Sequence, residues 1–497
     1  MVLYAIHPGI GLYSDSTYYL TLARRLLSGH GYTIPDIHGD VDPVNFFPFV
    51  YPTLLALPGL LGVDLLVGAR WIAAIVFFAN VQLTGAIAYR RCGQSLGATG
   101  LAVVLGLASY DMLSYHTLLL SDAASLTFVL LAFMLMGNYL ETTSWGSFAG
   151  AAAATALAFA TRYAAAGFVI AGFAAILLWE KKSFARRLVH GVLFGLGSSS
   201  LMIFWMLRNS RYSDEATGRS LEFHPVLNMA QLRQILVAIS TWATNRELEG
   251  ADVWIRASIV AAIVVIALAA AVPASRGKAG TDLGPALPLL YILTYVVELV
   301  MISTFVQADL FLDGLNLARL LLPVHVLVIV LVVQMGSRLY QRLNPGGQRA
   351  AASILCTAIS TCFLVWTIQW AHATHRNGQG FANSTFANSE MLQTIRGLPK
   401  DARYYSNLPW PIAIYTDRLW KVLPPKIDDD TAGQSTEYRE QMEDFAKTMR
   451  EHHVYLAYFK EGDDWFEFPS LNDLQAIVPM RAVAETKDGT IYAAAGQ

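Results

Sequence analysis

The chain has 497 residues, of which 55% are hydrophobic and only 14% charged. A soluble protein of this size carries roughly a quarter charged residues, so the composition excludes an ordinary water-soluble globule and points to a bilayer. The net charge of −2 offers no basic surface to a nucleic acid, and Cys92, Cys356 and Cys362 form no CxxC pair, so no disulfide framework follows.

The first residues, MVLYAIHPGIGLYSD, are too short to span a membrane, which takes about 20 apolar residues. They read as the tail of a further helix, so an eleventh span is expected in front of the ten described below. Residues 9–66 then form a long loop with structure of its own. In Ser16–Leu27, Tyr19, Leu20, Ala23, Leu26 and Leu27 fall on one face and Arg24 and Arg25 on the other. This is the pattern of an amphipathic helix lying in the interface, and Gly29-His30-Gly31 ends it. Asp15 stands before that helix, as an N-cap or as a functional carboxylate. Asp36, His38, Asp40 and Asp42 alternate along the loop. They suit either a metal-binding turn or, more commonly, a solvated acidic one. The apolar run from Phe46 into Leu61 is broken by Pro48, Pro52 and Pro58 and reads as short helices on the membrane rather than a span.

Apolar runs at 67–89, 98–115, 121–140, 147–162, 164–180, 188–207, 253–273, 285–307, 317–335 and 351–371 give ten spans. Lys and Arg collect in alternate loops: Arg90 and Arg91; Lys181, Lys182, Arg186 and Arg187; Arg276 and Lys278; Arg338, Arg342 and Arg349. The positive-inside rule puts these in the cytoplasm and the opposite loops outside. The tail then lies outside too. Its polar, mixed composition contains a helical pattern over 434–451 and strand patterns at Arg403–Ser406, His453–Phe459 and Ile491–Ala494. The fold expected is therefore mainly α. A polytopic transmembrane helix bundle (1–375) carries interfacial helices in its first outer loop, and a small C-terminal α/β domain (376–497) lies outside the cytoplasm.

The ionisable residues of the bundle gather at the outer mouth. Asp111 and His116 lie close together near the end of the second run, Asp122 opens the third, and Arg162 sits in the turn between the fourth and fifth. Arg208 ends the sixth, Asp309 and Asp313 lie in an outer loop, and Arg319 opens the ninth. Charge beside lipid is costly and marks function by default. Arginines bind phosphate bidentately and stay charged. A carboxylate within reach of a hydroxyl is a general base. The pattern suits transfer from a lipid phosphate. Glu298, near the middle of the eighth run, is either paired with an arginine or a neutral acid.

The run GLYSDSTYYLTLARRLLSGHGYT resembles the first outer loop of the GT-C membrane glycosyltransferases. The nearest group holds the protein O-mannosyltransferases, the lipid A aminoarabinose transferases and bacterial polyprenyl-phosphate-sugar transferases. FFPFVYPTLLALPGLLG, LLLSDAASLTFVLLA, AGAAAATALAFATRYAA, LARLLLPVHVL and LPKDARYYSNLPWPIAIYTDR are also similar, so the resemblance covers nearly the whole chain. It implies a sugar donor on a polyprenyl phosphate and transfer with inversion. It further implies Asp15 as catalytic base, Asp122 as a second acid, and Arg162, Arg208 and Arg319 as candidates for the donor phosphate. Tyr19, His116 and Asp313 complete the candidate substrate-binding set. The acceptor is a glycan, lipid or protein. No cofactor motif is present, no metal ligands are assigned, and a divalent metal stays open. Many relatives have an acidic residue directly after the first-loop Asp, where this chain has Ser16. A transporter or lipid flippase is the alternative reading, but no internal repeat is visible and Glu298 is the one mid-span carboxylate. A noncatalytic scaffold displaying the tail would leave the arginines unexplained.

Overall fold

The computed structural model describes residues 1–213, 216–219, 221, 223, 229–246, 250, 252–271, 286–306, 314–416, 418–427, 434–462 and 467–496. One turn, α1 (Val2–Ala5), leads to α2 (Ser14–Leu27), a hairpin of β1 (Thr33–Pro35) and β2 (Val41–Pro43), and α3 (Val50–Leu60). The bundle follows: α4 (Leu65–Arg91), α5 (Leu96–Ala108), α6 (Tyr110–His116), α7 (Asp122–Thr142), α8 (Trp145–Thr161), α9 (Ala166–Trp179), α10 (Phe184–Asn209), α11 (Met229–Thr244), α12 (Val253–Ala271), α13 (Ala286–Phe305), α14 (Gly314–Leu320), α15 (Leu322–Arg342) and α16 (Gly347–Asn377).

Each of the ten apolar runs contains a helix. Among the described residues six helices, α4, α7, α10, α13, α15 and α16, are long and apolar enough to cross a membrane. The chain is a multi-pass membrane protein. The pair α5–α6, bent by 56°, counts as a seventh crossing only when it is taken as one broken span. Among the described residues, α8 and α9 fall short. At 17 residues, α8 rises only about 25 Å, less than the ~30 Å of a hydrocarbon core. The expected span 317–335 is split. Its first residues form the separate helix α14, and α15 starts at Leu322 with Pro323 in its first turn, where the missing N–H costs least. Arg319 therefore belongs to a short helix at the mouth and does not open the span.

The α5–α6 break exposes backbone groups inside the bundle, and these need partners. Asn245 supplies them. Its Oδ1 accepts from Tyr110 N (2.7 Å), while its Nδ2 donates to Ala108 O (2.8 Å) and to Thr367 Oγ1 of α16 (2.9 Å).

The tail adds α17 (Ser384–Ala387), α18 (Glu390–Gly397), β3 (Arg403–Ser406), α19 (Pro409–Thr416), β4 (Leu419–Val422), α20 (Tyr438–Thr448), β5 (Val454–Phe459), α21 (Leu471–Ile477), β6 (Met480–Glu485) and β7 (Gly489–Ala494). Its sheet has the order β4-β3-β5-β7-β6, with β3 parallel to both neighbours and the last two pairings antiparallel. Alternation along β3 sends Tyr405 to the core with Phe445 and Met449, and Tyr404 to the core with Ile412 and Phe459.

The first loop links the two parts. Gly11 pairs with Leu118 and Leu12 with Gly380, so the segment before α2 runs between the approach to α7 and the end of the bundle. Gly380 has φ +52 and a Cβ there would collide with the carbonyl of Leu12, so only glycine fits. The β1–β2 turn meets the tail: His38 Nε2 lies 3.5 Å from Asp444 Oδ2, and Ile37 is fully buried in the tail core.

Candidate active site

Two carboxylate–guanidinium pairs stand where α2, α7, the α8–α9 turn and α14 converge. Asp15 is in the first turn of α2. Its Oδ2 lies 3.0 Å from Arg319 Nη1, with side chains 26% and 17% exposed. Asp122 begins α7, and its Oδ2 lies 3.0 Å from Arg162 Nη1, with side chains 3% and 18% exposed. Neither aspartate is the cap residue of its helix, which is Tyr13 for α2 and Ser121 for α7. Arg162 is held in extended backbone between α8 and a single 3-10 turn, Tyr163–Ala165.

A narrow cavity lies among these groups, lined by Asp122, Ser125, Arg162, Tyr291, Tyr295 and Arg319 with small apolar neighbours. Neither oxygen of Asp122 makes an aligned hydrogen bond, and Nε of Arg162 and Nε of Arg319 have none. Buried polar atoms are nearly always satisfied, so unsatisfied ones converging on one cavity mark a place for a ligand or water. Burial opposes the charge on Arg319. Asp15 and then Asp122 outweigh it and hold the guanidinium above its ordinary pKa, so it stays a cation.

Tyr19 is buried and stands behind the pairs. Its hydroxyl is 3.0 Å from Ser121 Oγ, its ring packs on Phe47 and Tyr51, and burial, then Asp15, raise its pKa well above the usual phenol value. Ser16 is fully buried. Its hydroxyl accepts from Tyr13 N and donates to Leu119 O, both at 2.9 Å. A carboxylate at that position would have no proton for Leu119 O.

The other candidates lie elsewhere. The guanidinium of Arg208 donates to Val44 O (2.8 Å) and Tyr32 O (3.1 Å) and lies over the Trp205 ring, fastening the first loop to α10. His116 is fully buried between Asn80 Nδ2 (2.8 Å) and Met112 O, outside the cavity lining. Asp309 and Asp313 lie outside the described residues. Asp36 Oδ1 accepts from the backbone of His38 and Asp40, and among the described residues no three His, Cys, Asp or Glu side chains gather as a metal-binding group.

Some neighbours were not singled out from sequence. Tyr291 and Tyr295 are four apart on α13, a spacing visible in YILTYVVE, and Tyr295 Oη donates to Leu320 O (2.7 Å) beside Arg319. Glu298, one turn on, pairs with no arginine among the described residues. Its Oε2 accepts from Gly167 N (2.6 Å) and joins α13 to α9. His325 Nδ1 lies 3.3 Å from Asp111 Oδ2, and its ring stacks on Trp242 at 5.0 Å.

No family model and no curated protein matches the chain in sequence. Its likeness is to solved structures. ArnT from Cupriavidus metallidurans bound to undecaprenyl phosphate superposes with a TM-score of 0.64 at 12% identity, covering 100% of this chain and 96% of that one. The chain has the GT-C fold. The arabinofuranosyltransferase AftD from Mycobacteria, another protein of this GT-C fold, matches with a TM-score of 0.59 at 14% identity, where 100% of this chain covers 39% of that one. In this chain the paired acids and arginines all lie at the end of the bundle that carries the C-terminal sheet. Tyr18 of α2 touches Trp420 of β4 at that end.

Proposed function

We propose that the protein is a glycosyltransferase that moves a sugar from a polyprenyl-phosphate carrier to an acceptor hydroxyl, with inversion, on the non-cytoplasmic side of the membrane. The observation that carries this reading is the pair of ion pairs Asp122–Arg162 and Asp15–Arg319, of which Asp122 and both arginines line one cavity and Asp15 joins it through Arg319. The fold shared with ArnT, which was solved with undecaprenyl phosphate, supports the carrier. The fold shared with the arabinofuranosyltransferase AftD supports the reaction type. Arg90 pairs with Glu141 at the opposite end of α4 and α7, so the basic loops lie away from the cavity, which supports the outer side.

The chemistry needs two services. The leaving phosphate gains charge as the bond from its oxygen to the anomeric carbon breaks, and fixed guanidiniums stabilise that charge without reorganising. Arg162 and Arg319 supply them. The acceptor oxygen attacks from the opposite face of the sugar, and Asp15, the more exposed of the two acids, takes its proton. Asp122 remains as the buried partner that orients Arg162. In the unliganded protein both arginines rest on carboxylates, so a donor phosphate that engages Arg319 also releases Asp15 for its role as base. The acceptor is a glycan, lipid or protein hydroxyl.

Asp15→Asn keeps the size of the side chain and removes the base. Transfer from a synthetic polyprenyl-phosphate sugar by the purified variant is expected to fall by roughly 10²–10⁴-fold, with the protein still folded in detergent. Full transfer by that variant would remove Asp15 from the mechanism. Accumulation of one polyprenyl-phosphate sugar in a deletion strain, seen by mass spectrometry, would identify the donor.

A further inference from the structure

The cavity has a neutral end as well as a charged one. Asp122, Ser125 and Val129 line it from positions i, i+3 and i+7 of α7, so it follows that helix inward for about two turns, roughly 10 Å. Tyr291 and Tyr295 line it from one face of α13. The hydroxyl of Tyr295 is spent on Leu320 O. That of Tyr291 is not. Tyr291 is fully buried, its ring is packed against Phe133, Phe168 and Tyr295, and among the described residues its oxygen has no hydrogen-bond partner. A buried hydroxyl left unbonded is destabilising, so a group that both donates and accepts is kept there at a cost.

We infer that the Tyr291 hydroxyl is the polar end of a donor-sugar subsite, where it hydrogen-bonds a hydroxyl of the sugar whose phosphate is held by Arg162 and Arg319. The inference rests on the glycosyl-donor reading given above. The division of labour follows from charge. Guanidiniums match a phosphate, whereas an uncharged phenol flanked by Ser125, Val129 and alanines matches an uncharged hydroxyl. Such a site selects sharply, because a sugar lacking that hydroxyl leaves the phenol unpaired.

The test uses the full-length protein in nanodiscs and three probes. These are bare undecaprenyl phosphate, polyprenyl-phosphate sugars (mannose and arabinofuranose), and monodeoxy analogues of whichever sugar lipid binds better than the bare carrier. For Tyr291→Phe, affinity for the bare carrier is expected to stay within about twofold, while affinity for the sugar-loaded lipid falls about tenfold. The matching deoxy analogue should bind variant and wild type alike, a non-additivity that a purely structural tyrosine would not give. Equal losses for bare and loaded carrier would make Tyr291 a packing residue and overturn the subsite. Unchanged affinity for the loaded lipid, with lowered thermal stability, would mean that the hydroxyl serves a trapped water only. If the wild type binds no sugar-loaded lipid better than the bare carrier, the glycosyl-donor reading falls together with this one.

Discussion

At the residue scale, the two ion pairs differ in ways that separate stability from catalysis. The Asp122–Arg162 pair is the more enclosed, with Asp122 at 3% exposure. Removing one partner of such a pair leaves the other charge buried and uncompensated, which costs about 3–5 kcal/mol. Arg162→Met should therefore lower thermal stability in detergent sharply. Arg162→Met combined with Asp122→Asn should recover most of it, because no charge is left unpaired. Transfer should stay lost in both. If the double variant remains as unstable as the single one, the pair is not the source of the loss. Asp15 is the opposite case, partly exposed and with a smaller structural penalty, so its variant should lose rate before stability. Asp122, Arg162 and Arg319 were singled out in the sequence as charges at the ends of apolar runs, and Asp15 through the resemblance of the first loop. The same signal also marked Arg208 and His116, which meet backbone carbonyls and Asn80 instead. End position alone does not say which way a side chain turns. Tyr291 gave no such signal, since an aromatic in an apolar run is ordinary core.

At the scale of elements, the site depends on a broken helix. The break between α5 and α6 redirects the chain so that the segment after α6 runs beside Gly11 and delivers Ser121 and Asp122 against α2. Asn245 closes that break from the end of α11, in a left-handed conformation (φ +56) that asparagine tolerates better than most residues. Asn245→Ala removes the side-chain acceptor of Tyr110 N and one of the two donors to Ala108 O, which keeps Thr367 Oγ1, and adds backbone strain. Each buried group left unpaired costs about 1–3 kcal/mol. The expected outcome is a clear drop in the midpoint of thermal unfolding, together with reduced transfer. Asn245→Gly relieves the strain but not the lost bonds, and should lie between the alanine variant and wild type. An unchanged midpoint in both variants would remove the staple from the account. Hydropathy showed a span at 98–115 but not its break, because Ser109 interrupts the run with neither proline nor glycine. It likewise merged α14 with α15. The tail was more legible: β3 coincides with Arg403–Ser406, and α20 lies within 434–451, since alternation and helical spacing are local properties.

At the scale of the molecule, the tail domain and the bundle are held together by the loop that carries Asp15. Ile37 at the tip of the β1–β2 turn is completely buried in the tail core, and Arg403 Nη1 donates to its carbonyl (3.2 Å). Around it, Asp444 meets His38 (3.5 Å) and Lys421 (3.2 Å). The acidic loop keeps His38, Asp40 and Asp42 exposed, as a solvated turn would, but it also inserts Ile37 into the tail as a plug. Ile37 sits among Asp and His, so no periodicity reveals it. Ile37→Ala should weaken this docking by about 2–5 kcal/mol, the range for truncating a buried aliphatic side chain. Lys421→Met should cost at most about 1 kcal/mol, because that pair is largely exposed. The pH dependence has a definite sign. Burial pushes the Asp444 carboxyl upward, but Lys421 and His38 outweigh it and leave its pKa below the ordinary value. A depressed acid contributes stability that is complete above the unfolded-state pKa of about 4 and is lost as pH falls through the lower folded value. Docking should therefore be flat from neutral pH down to about 5 and should loosen only in stronger acid. Hydrogen exchange of the 36–42 turn, followed across that range, checks both parts. Early loosening near pH 6 would place control elsewhere. Protection that stays at the wild-type level in Ile37→Ala would show that the plug does not hold the tail to the loop bearing Asp15.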